Sequence, residues 1–577
     1  MSVRRSPLIL AVMFGLFGVG VLLAVWSLAR PIPPALDSTV LRFDVPAELE
    51  ESAAPFQPLS LTGLRLPRMT VWDVVRGLRH AALDPNVRAL VLHIGPVEWG
   101  WSKIEDVRAA VLAFRAAGKP VYASVEGGGE REYLLASAAN SVCLPPTATL
   151  QLDGLAATAL FYRGAFDKFG VSPNFAHVGR YKSGVESYTH TAMSAPSREV
   201  LEAVLEERFT LLADTLGRAR EMAPDSIRGL LDRGPYDAPE AKALGLVDTL
   251  LHAADVDSLA TRSGALRRVT LSFNRYVDRL EEPRSASRIA LVVMSGTIAS
   301  GRSRLSPTEG RIVGSATLKE ALRQARERKG VRAIVLRVDS PGGEADASDE
   351  IWREVRRCRD TKPLIVSMSD VAASGGYFVA VAGDSILAQP ESLTGSIGVY
   401  GGKFNVLGLL RKLGLNAETV SHGRHARMLS PYEDFTTEEA ALYQRHLDRF
   451  YEVFLSRVAE GRRMTTGEVD SMAAGRVWTG REAARRGLVD RLGGIQEAML
   501  AARARAGIGP DQAVVVETFP RPQASLISRI LGDLLGEDAD FTGATVPFPP
   551  VLRAWMAASS FPSGAVLALM PWTIEIR

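Results

Sequence analysis

A serine followed by two glycines, in Asp370-Val371-Ala372-Ala373-Ser374-Gly375-Gly376-Tyr377, stands at the end of one predicted strand. A second glycine pair, in Asp339-Ser340-Pro341-Gly342-Gly343, ends the strand before it. Facing one another, two such loops can hold a hydroxyl nucleophile beside unhindered backbone N–H groups, which stabilise the oxyanion of acyl transfer when they lie about 3 Å from it. Glycine matters here because a Cβ would keep a substrate carbonyl off those donors. Taken singly, either glycine pair is equally an ordinary turn. A serine hydroxyl also needs a base, and a lysine serves if its pKa falls from about 10.4 toward 7 or 8. That shift costs on the order of 4 kcal/mol and requires burial away from carboxylates.

Laying the sequence over itself points to the base. Asn86-Val87-Arg88-Ala89-Leu90-Val91-Leu92-His93-Ile94 matches Gly330-Val331-Arg332-Ala333-Ile334-Val335-Leu336-Arg337-Val338, and Lys119-Pro120-Val121 falls on Lys362-Pro363-Leu364. Tyr133-Leu134-Leu135-Ala136 answers Tyr377-Phe378-Val379-Ala380, and Ala243-Leu244-Gly245-Leu246-Val247-Asp248 answers Arg485-Arg486-Gly487-Leu488-Val489-Asp490. A unit this long is a duplicated domain, not a solenoid repeat of 20–50 residues. At an offset of 244 residues Ser374 falls on Glu130, and Gly342-Gly343 falls on Glu98-Trp99, so the first copy has neither nucleophile nor glycine pair. The loss reverses at Gly179-Arg180-Tyr181-Lys182-Ser183, which falls on Gly423-Arg424-His425-Ala426-Arg427. Without the repeat, Lys182 reads as an exposed loop lysine. With it, complementary losses imply one composite site in which Ser374 is the nucleophile and Lys182 the base.

The elements that must position these groups alternate between strand and helix. The second copy predicts strands at Ile289–Met294, Ala333–Asp339 and Pro363–Met368, with helices at Thr317–Glu327, Ser348–Cys358 and from Ser374. The first copy predicts strands at Thr39–Phe43, Ala89–Ile94 and Val121–Val125, and helices at Trp72–Ala82 and Ile104–Ala117. Such alternation implies right-handed crossovers and a mostly parallel sheet, with the site on loops at strand C-termini. The 577 residues exceed one core's capacity. They divide into an N-terminal segment 1–30, a first repeat 39–255 carrying the lysine, a linker 256–288, a second repeat 289–507 carrying the serine, and an extension 508–577. Within that extension the apolar run Ala565–Met570 is too short to span a bilayer, so it packs on the body or on a neighbouring subunit.

Arg4 and Arg5 precede an uncharged run from Leu8 to Ala29. At 1.5 Å per residue it reaches about 33 Å, enough to cross a bilayer core. Ser27-Leu28-Ala29 would suit cleavage of a signal peptide, but the run is long for that purpose and favours an uncleaved anchor. The leading arginines put the N-terminus in the cytoplasm and the folded domains on the far side of the inner membrane. A net charge of +3 on 577 residues gives no footprint for nucleic acid. Two cysteines, Cys143 and Cys358, cannot supply a four-ligand metal site or a disulfide framework, and the eight histidines show no metal spacing. Neither a metal nor an organic cofactor is expected.

These residues resemble the long, duplicated form of the signal peptide peptidase family, membrane-anchored serine proteases of the ClpP/crotonase-like fold. Tyr181-Lys182-Ser183-Gly184-Val185-Glu186 is similar to the family's lysine motif, and Ala372-Ala373-Ser374-Gly375-Gly376-Tyr377 to its serine motif. Leu393-Thr394-Gly395-Ser396-Ile397-Gly398 is similarly characteristic. The resemblance implies Ser374 as nucleophile, Lys182 as general base and Ser396 as a hydroxyl orienting the lysine. It implies that Gly342, Gly343 and Gly375 lie at or near the oxyanion hole, and implies peptide substrates such as signal-peptide remnants and a bowl-shaped homotetramer. Two other classes stand beside it: a crotonase-like acyl-CoA enzyme and a catalytically silent membrane scaffold.

Overall fold

The computed structural model describes residues 38–52, 69–262, 269–280, 287–306, 310–521, 564–570 and 575–576. The apolar run Leu8–Ala29 lies outside them, and among the described residues no helix is long and apolar enough to cross a membrane.

Each half is built on a parallel sheet. In the first the strand order is Val269–Ser272, Thr39–Val45, Val87–Ile94, Val121–Val125, Ser141–Leu144 and Thr249–Leu250. In the second, Leu393–Gly395, Leu364–Ala373, Val331–Ser340, Ser287–Ser295 and Val514–Phe519 lie in that order, with Val477–Thr479 added antiparallel at the edge. The central strands are covered on both faces, which is why they read as unbroken apolar runs rather than alternating ones. Ile334, Val335 and Leu336 are all fully buried. The expected strands and helices are present, most of them a residue or two longer. The strand after Pro363 departs furthest, continuing through Asp370 to Ala373, and carries the chain straight to Ser374. Gly342 and Gly343, expected in a turn, form the short strand Gly342–Glu344 instead.

The duplication extends to the side-chain ties. Lys119 Nζ donates to the Ala81 and Asp84 carbonyls at the helix end, as Lys362 Nζ does to Ala325 and Arg328. Tyr133 Oη donates to the Leu246 carbonyl and Tyr377 Oη to that of Leu488. Asp248 and Asp490 each pair with an arginine, Arg220 and Arg462, at the end of 26-residue helices, Ala195–Arg220 and Thr437–Arg462. Residues 256–288, expected as a linker, include the strand Val269–Ser272 and the helix Phe273–Asp278, and both pack on the first sheet.

Among the contacts that bind the halves, a strand pairing and a buried charge cluster stand out. Ser172–Val178 of the first pairs antiparallel with Val399–Asn405 of the second, over seven residue pairs from Val178↔Val399 to Ser172↔Asn405. Deeper in, the fully buried Arg337 donates to both carboxylate oxygens of Glu51 at 3.0 and 2.9 Å, and to Asp106 at 2.6 Å. A guanidinium held by a bidentate carboxylate and a second acid is satisfied only with both halves in place. Cys143 and Cys358 are buried and unpaired, on a strand and a helix as expected.

Candidate active site

Ser374 sits between the strand ending at Ala373 and the helix Gly375–Ala380, with φ 53° and ψ −115°. That backbone conformation is strained for a residue with a Cβ, typically by about 1–3 kcal/mol. The hydrogen bond from Ser374 N to the Gly395 carbonyl, 2.8 Å, helps to hold it. Ser396 shares the feature, with φ 51°, and its N–H donates to the Arg476 carbonyl at 2.7 Å.

Lys182 arrives from the other half. The antiparallel pairing of Ser172–Val178 with Val399–Asn405 delivers the segment Gly179–Lys182 beside the serine loops. There Tyr181 N donates to the Ala474 carbonyl at 2.7 Å. A Cβ on Gly475 would lie 2.4 Å from Lys182 N, and one on Gly398 would lie 3.2 Å from Lys182 Cδ. These two glycines make the slot for the lysine. Gly398 falls in the recognised motif, but nothing in the sequence relates Gly475 to Lys182 almost 300 positions away.

Lys182 Nζ lies 2.7 Å from Ser374 Oγ, 2.9 Å from Ser396 Oγ and 2.9 Å from the Ser396 carbonyl oxygen. All three residues are fully buried. A neutral amine has two N–H groups and one lone pair. Donating to the two Ser396 oxygens leaves the lone pair facing the Ser374 hydroxyl, the orientation needed to accept its proton. Burial moves the Lys182 ammonium well below its ordinary pKa, with no carboxylate to offset it.

The predicted oxyanion glycines come together as well. A Cβ on Gly375 would lie 3.2 Å from Gly342 Cα, and a Cβ on Gly342 would lie 2.6 Å from Gly375 N. Gly343 is one step further along, where a Cβ would meet the Ile298 carbonyl at 1.9 Å. In the first half, the position matching Ser374 holds Glu130, whose carboxylate accepts the N–H groups of Asp153 and Gly154 at 3.0 and 2.8 Å. Its counterpart of the nucleophile site is filled by a carboxylate.

The apolar run near the C-terminus packs on the body of the same chain. Val566–Leu569 lies antiparallel between Gly342–Glu344 and Val399–Asn405, with Gly343 opposite Ala568 and Tyr400 opposite Leu567. Met570 N donates to the Pro341 carbonyl at 2.7 Å. The Ala568 carbonyl oxygen lies against both glycines, 2.0 Å from where a Gly342 Cβ would be and 3.0 Å from that of Gly375. Met570 packs with Ala373, Val200 and Tyr181, while Leu567 packs with Val185 and Tyr400. An extended apolar segment thus runs past the serine with a carbonyl at the glycine backbone.

A buried serine beside a buried lysine, facing glycine backbone on a duplicated parallel-sheet fold, defines a hydrolase of the serine peptidase class. The chain belongs to peptidase family S49, whose family model matches residues 113–266 and 356–509, once in each half. It is 33% identical to the chloroplastic serine protease SPPA of Arabidopsis thaliana, over 84% of this chain and 72% of that protein. It is 32% identical to Protease 4 of Haemophilus influenzae, over 82% of this chain and 80% of that protein. Protease 4 of Salmonella typhi is 33% identical over 75% of this chain and 72% of that protein. The protein is a serine protease, and the acyl-CoA alternative falls with that membership.

Proposed function

We propose that the protein is a Ser/Lys-dyad endopeptidase of ClpP/crotonase-like fold. In this reading the run Leu8–Ala29 anchors it in the inner membrane, its N-terminus is cytoplasmic, and it degrades extended apolar peptides such as cleaved signal peptides on the other side. The observation that carries the reading is the 2.7 Å contact between Lys182 Nζ and Ser374 Oγ, both fully buried. The division at 1–30, 39–255, 256–288, 289–507 and 508–577, and assembly as a homotetramer, belong to the same proposal.

Ser374 Oγ attacks the scissile carbonyl while Lys182 Nζ takes its proton, and backbone N–H groups around Gly342, Gly343 and Gly375 stabilise the oxyanion. Collapse of the tetrahedral intermediate breaks the C–N bond, and the Lys182 ammonium returns the proton to the leaving amine. Water then attacks the acyl-Ser374 ester, giving its proton to Lys182, and releases the acid with Ser374 restored. A serine-directed acylating probe tests this: mass analysis should find it on Ser374, and a protein left unlabelled would favour the silent scaffold.

Ser396→Ala removes one acceptor of the Lys182 N–H groups and keeps the carbonyl. An unsatisfied buried donor costs about 1–3 kcal/mol, so kcat should fall about 10–100-fold with KM little changed. Initial rates across substrate concentration check the split.

The strand Val566–Leu569 stands where an extended substrate would add antiparallel to Gly342–Glu344. Substrate competes with it, and apparent affinity falls by the fraction of time the groove is free. Deleting residues 564–577 should therefore raise kcat/KM for a short apolar peptide. A truncated, folded protein that is slower than the full chain would make the strand part of the cleft wall instead.

A further inference from the structure

The half without a nucleophile contributes a second lysine to the site's surroundings, its side chain 13% exposed. Lys103 lies in the first turn of the helix Trp101–Ala116, with Nζ 2.9 Å from Asp339 and 3.4 Å from Asp370. Asp339 is three residues before Gly342, and Asp370 is four residues before Ser374. One ammonium thus joins the stems of the two loops that carry the glycine backbone and the serine. The Asp370 carboxylate also accepts the helix's N–H groups of Ser102 at 2.9 Å and Lys103 at 3.2 Å. A Cβ on Gly100 would lie 2.1 Å from Asp370 Cγ, so that residue must be glycine for the carboxylate to dock. Asp339 in turn accepts from Val371 N at 3.3 Å, and its own carbonyl accepts from Gly296 N at 2.9 Å.

At the 244-residue offset, Trp101–Lys103 falls on Ala345–Ala347, the first turn of the helix that follows Gly342–Glu344 in the second half. The first half lost its own glycine pair at this point. Its helix start instead grips the loops of the half that kept one.

We infer that Lys103 is a positioning residue for the reaction at Ser374, setting the distance between the nucleophile and the oxyanion donors through Asp370 and Asp339. The inference rests on the Ser374/Lys182 reading. Its two contacts differ from those of Lys182: Lys103 faces two carboxylates and stays an ammonium, whereas Lys182 faces only neutral oxygens. It holds loops, and it takes no proton from substrate. Misplacement of a donor by about 1 Å costs on the order of 100-fold in rate, and only interactions stronger in the transition state than in the ground state act on kcat.

The test compares wild type, Lys103→Met, Lys103→Arg and Lys103→Met/Asp370→Asn, with Ser374→Ala as blank, on an apolar fluorogenic peptide. Binding of a peptide aldehyde, which forms a tetrahedral adduct with an active serine, is measured beside binding of the corresponding product acid. The expected result for Lys103→Met is a kcat about 10–100-fold lower, KM within about threefold, aldehyde affinity lowered in step with kcat/KM, and product affinity unchanged. Lys103→Arg should recover most of the loss. Should Lys103→Met fail to fold, the double variant, which removes one of the stranded carboxylate charges, decides by the same readouts. A kcat within twofold of wild type, or aldehyde and product binding lost together in proportion to unfolded protein, overturns the inference. Ser374→Ala as active as wild type would instead overturn the dyad reading beneath it.

Discussion

Ser374→Ala lowers kcat/KM toward an apolar peptide by about 10⁵-fold or more, with the fold intact. The magnitude follows from the loss of a nucleophile whose partners act as one unit, where removing a single member costs nearly as much as removing all. Stability should barely change. Alanine also carries a Cβ, so the strained φ of 53° is retained at the same cost. Lys182 loses one neighbour and keeps both Ser396 oxygens, and the hydrogen bond from Ser374 Oγ to the Gly398 carbonyl is long, at 3.4 Å. Initial rates with thermal melts by circular dichroism check both parts. A folded variant retaining more than about one hundredth of the wild-type rate removes Ser374 from the mechanism.

Lys182→Met has the second largest effect on rate and, unlike Ser374→Ala, raises stability. Activity should fall about 10⁴-fold or more, because without the amine no base among the described residues contacts the serine hydroxyl, and Ser374→Ala/Lys182→Met should be no slower than the worse single variant. In the wild type the rate should rise with pH as Lys182 deprotonates, with the ascending limb well below the ordinary lysine value of about 10.4. For stability, the folded-state pKa lies below the unfolded one, so between the two the unfolded chain binds more protons and stability increases with pH. Below that window the full desolvation cost of the lysine opposes folding. Lys182→Met should therefore melt higher than wild type at neutral pH, and the gain should shrink as pH approaches about 10.4. Melting curves at several pH values measure the gain. A lower melting temperature for Lys182→Met throughout would mean that the lysine is bound as a stabilising cation, and so is not the base.

Much of this site was legible without coordinates because duplication leaves a record in the sequence. Two aligned copies display which one kept Ser374 and which kept Lys182, so the composite site follows from a comparison internal to the chain. The parallel sheets were legible for a similar reason. Strands buried on both faces carry apolar runs without alternation, and Ala89–Leu92 and Ala333–Leu336 show it. Less visible were features set by contact between distant segments. Gly475 reads as an ordinary turn glycine until Lys182 is seen against it. Lys103 falls just before the helix expected at Ile104–Ala117, and only the structure sets Asp339 and Asp370 around it. Residues 269–278 fall in the segment expected as a linker, yet Val269–Ser272 forms the edge strand of the first sheet.

By itself, then, the sequence determined the duplication, the alternating α/β pattern and the pair of side chains, Ser374 and Lys182, that the fold brings together. Local pattern and self-comparison need no knowledge of how the halves sit. Only the tertiary structure decided that Lys182 reaches Ser374 with its two N–H groups turned to Ser396. It alone decided that Asp370 docks on the other half's helix, and that Val566–Leu569 pairs with Gly342–Glu344. Those outcomes depend on antiparallel pairing and buried charge satisfaction across hundreds of residues. Such interactions have no period in the sequence, because their free energy comes from surfaces that meet only after each half has folded.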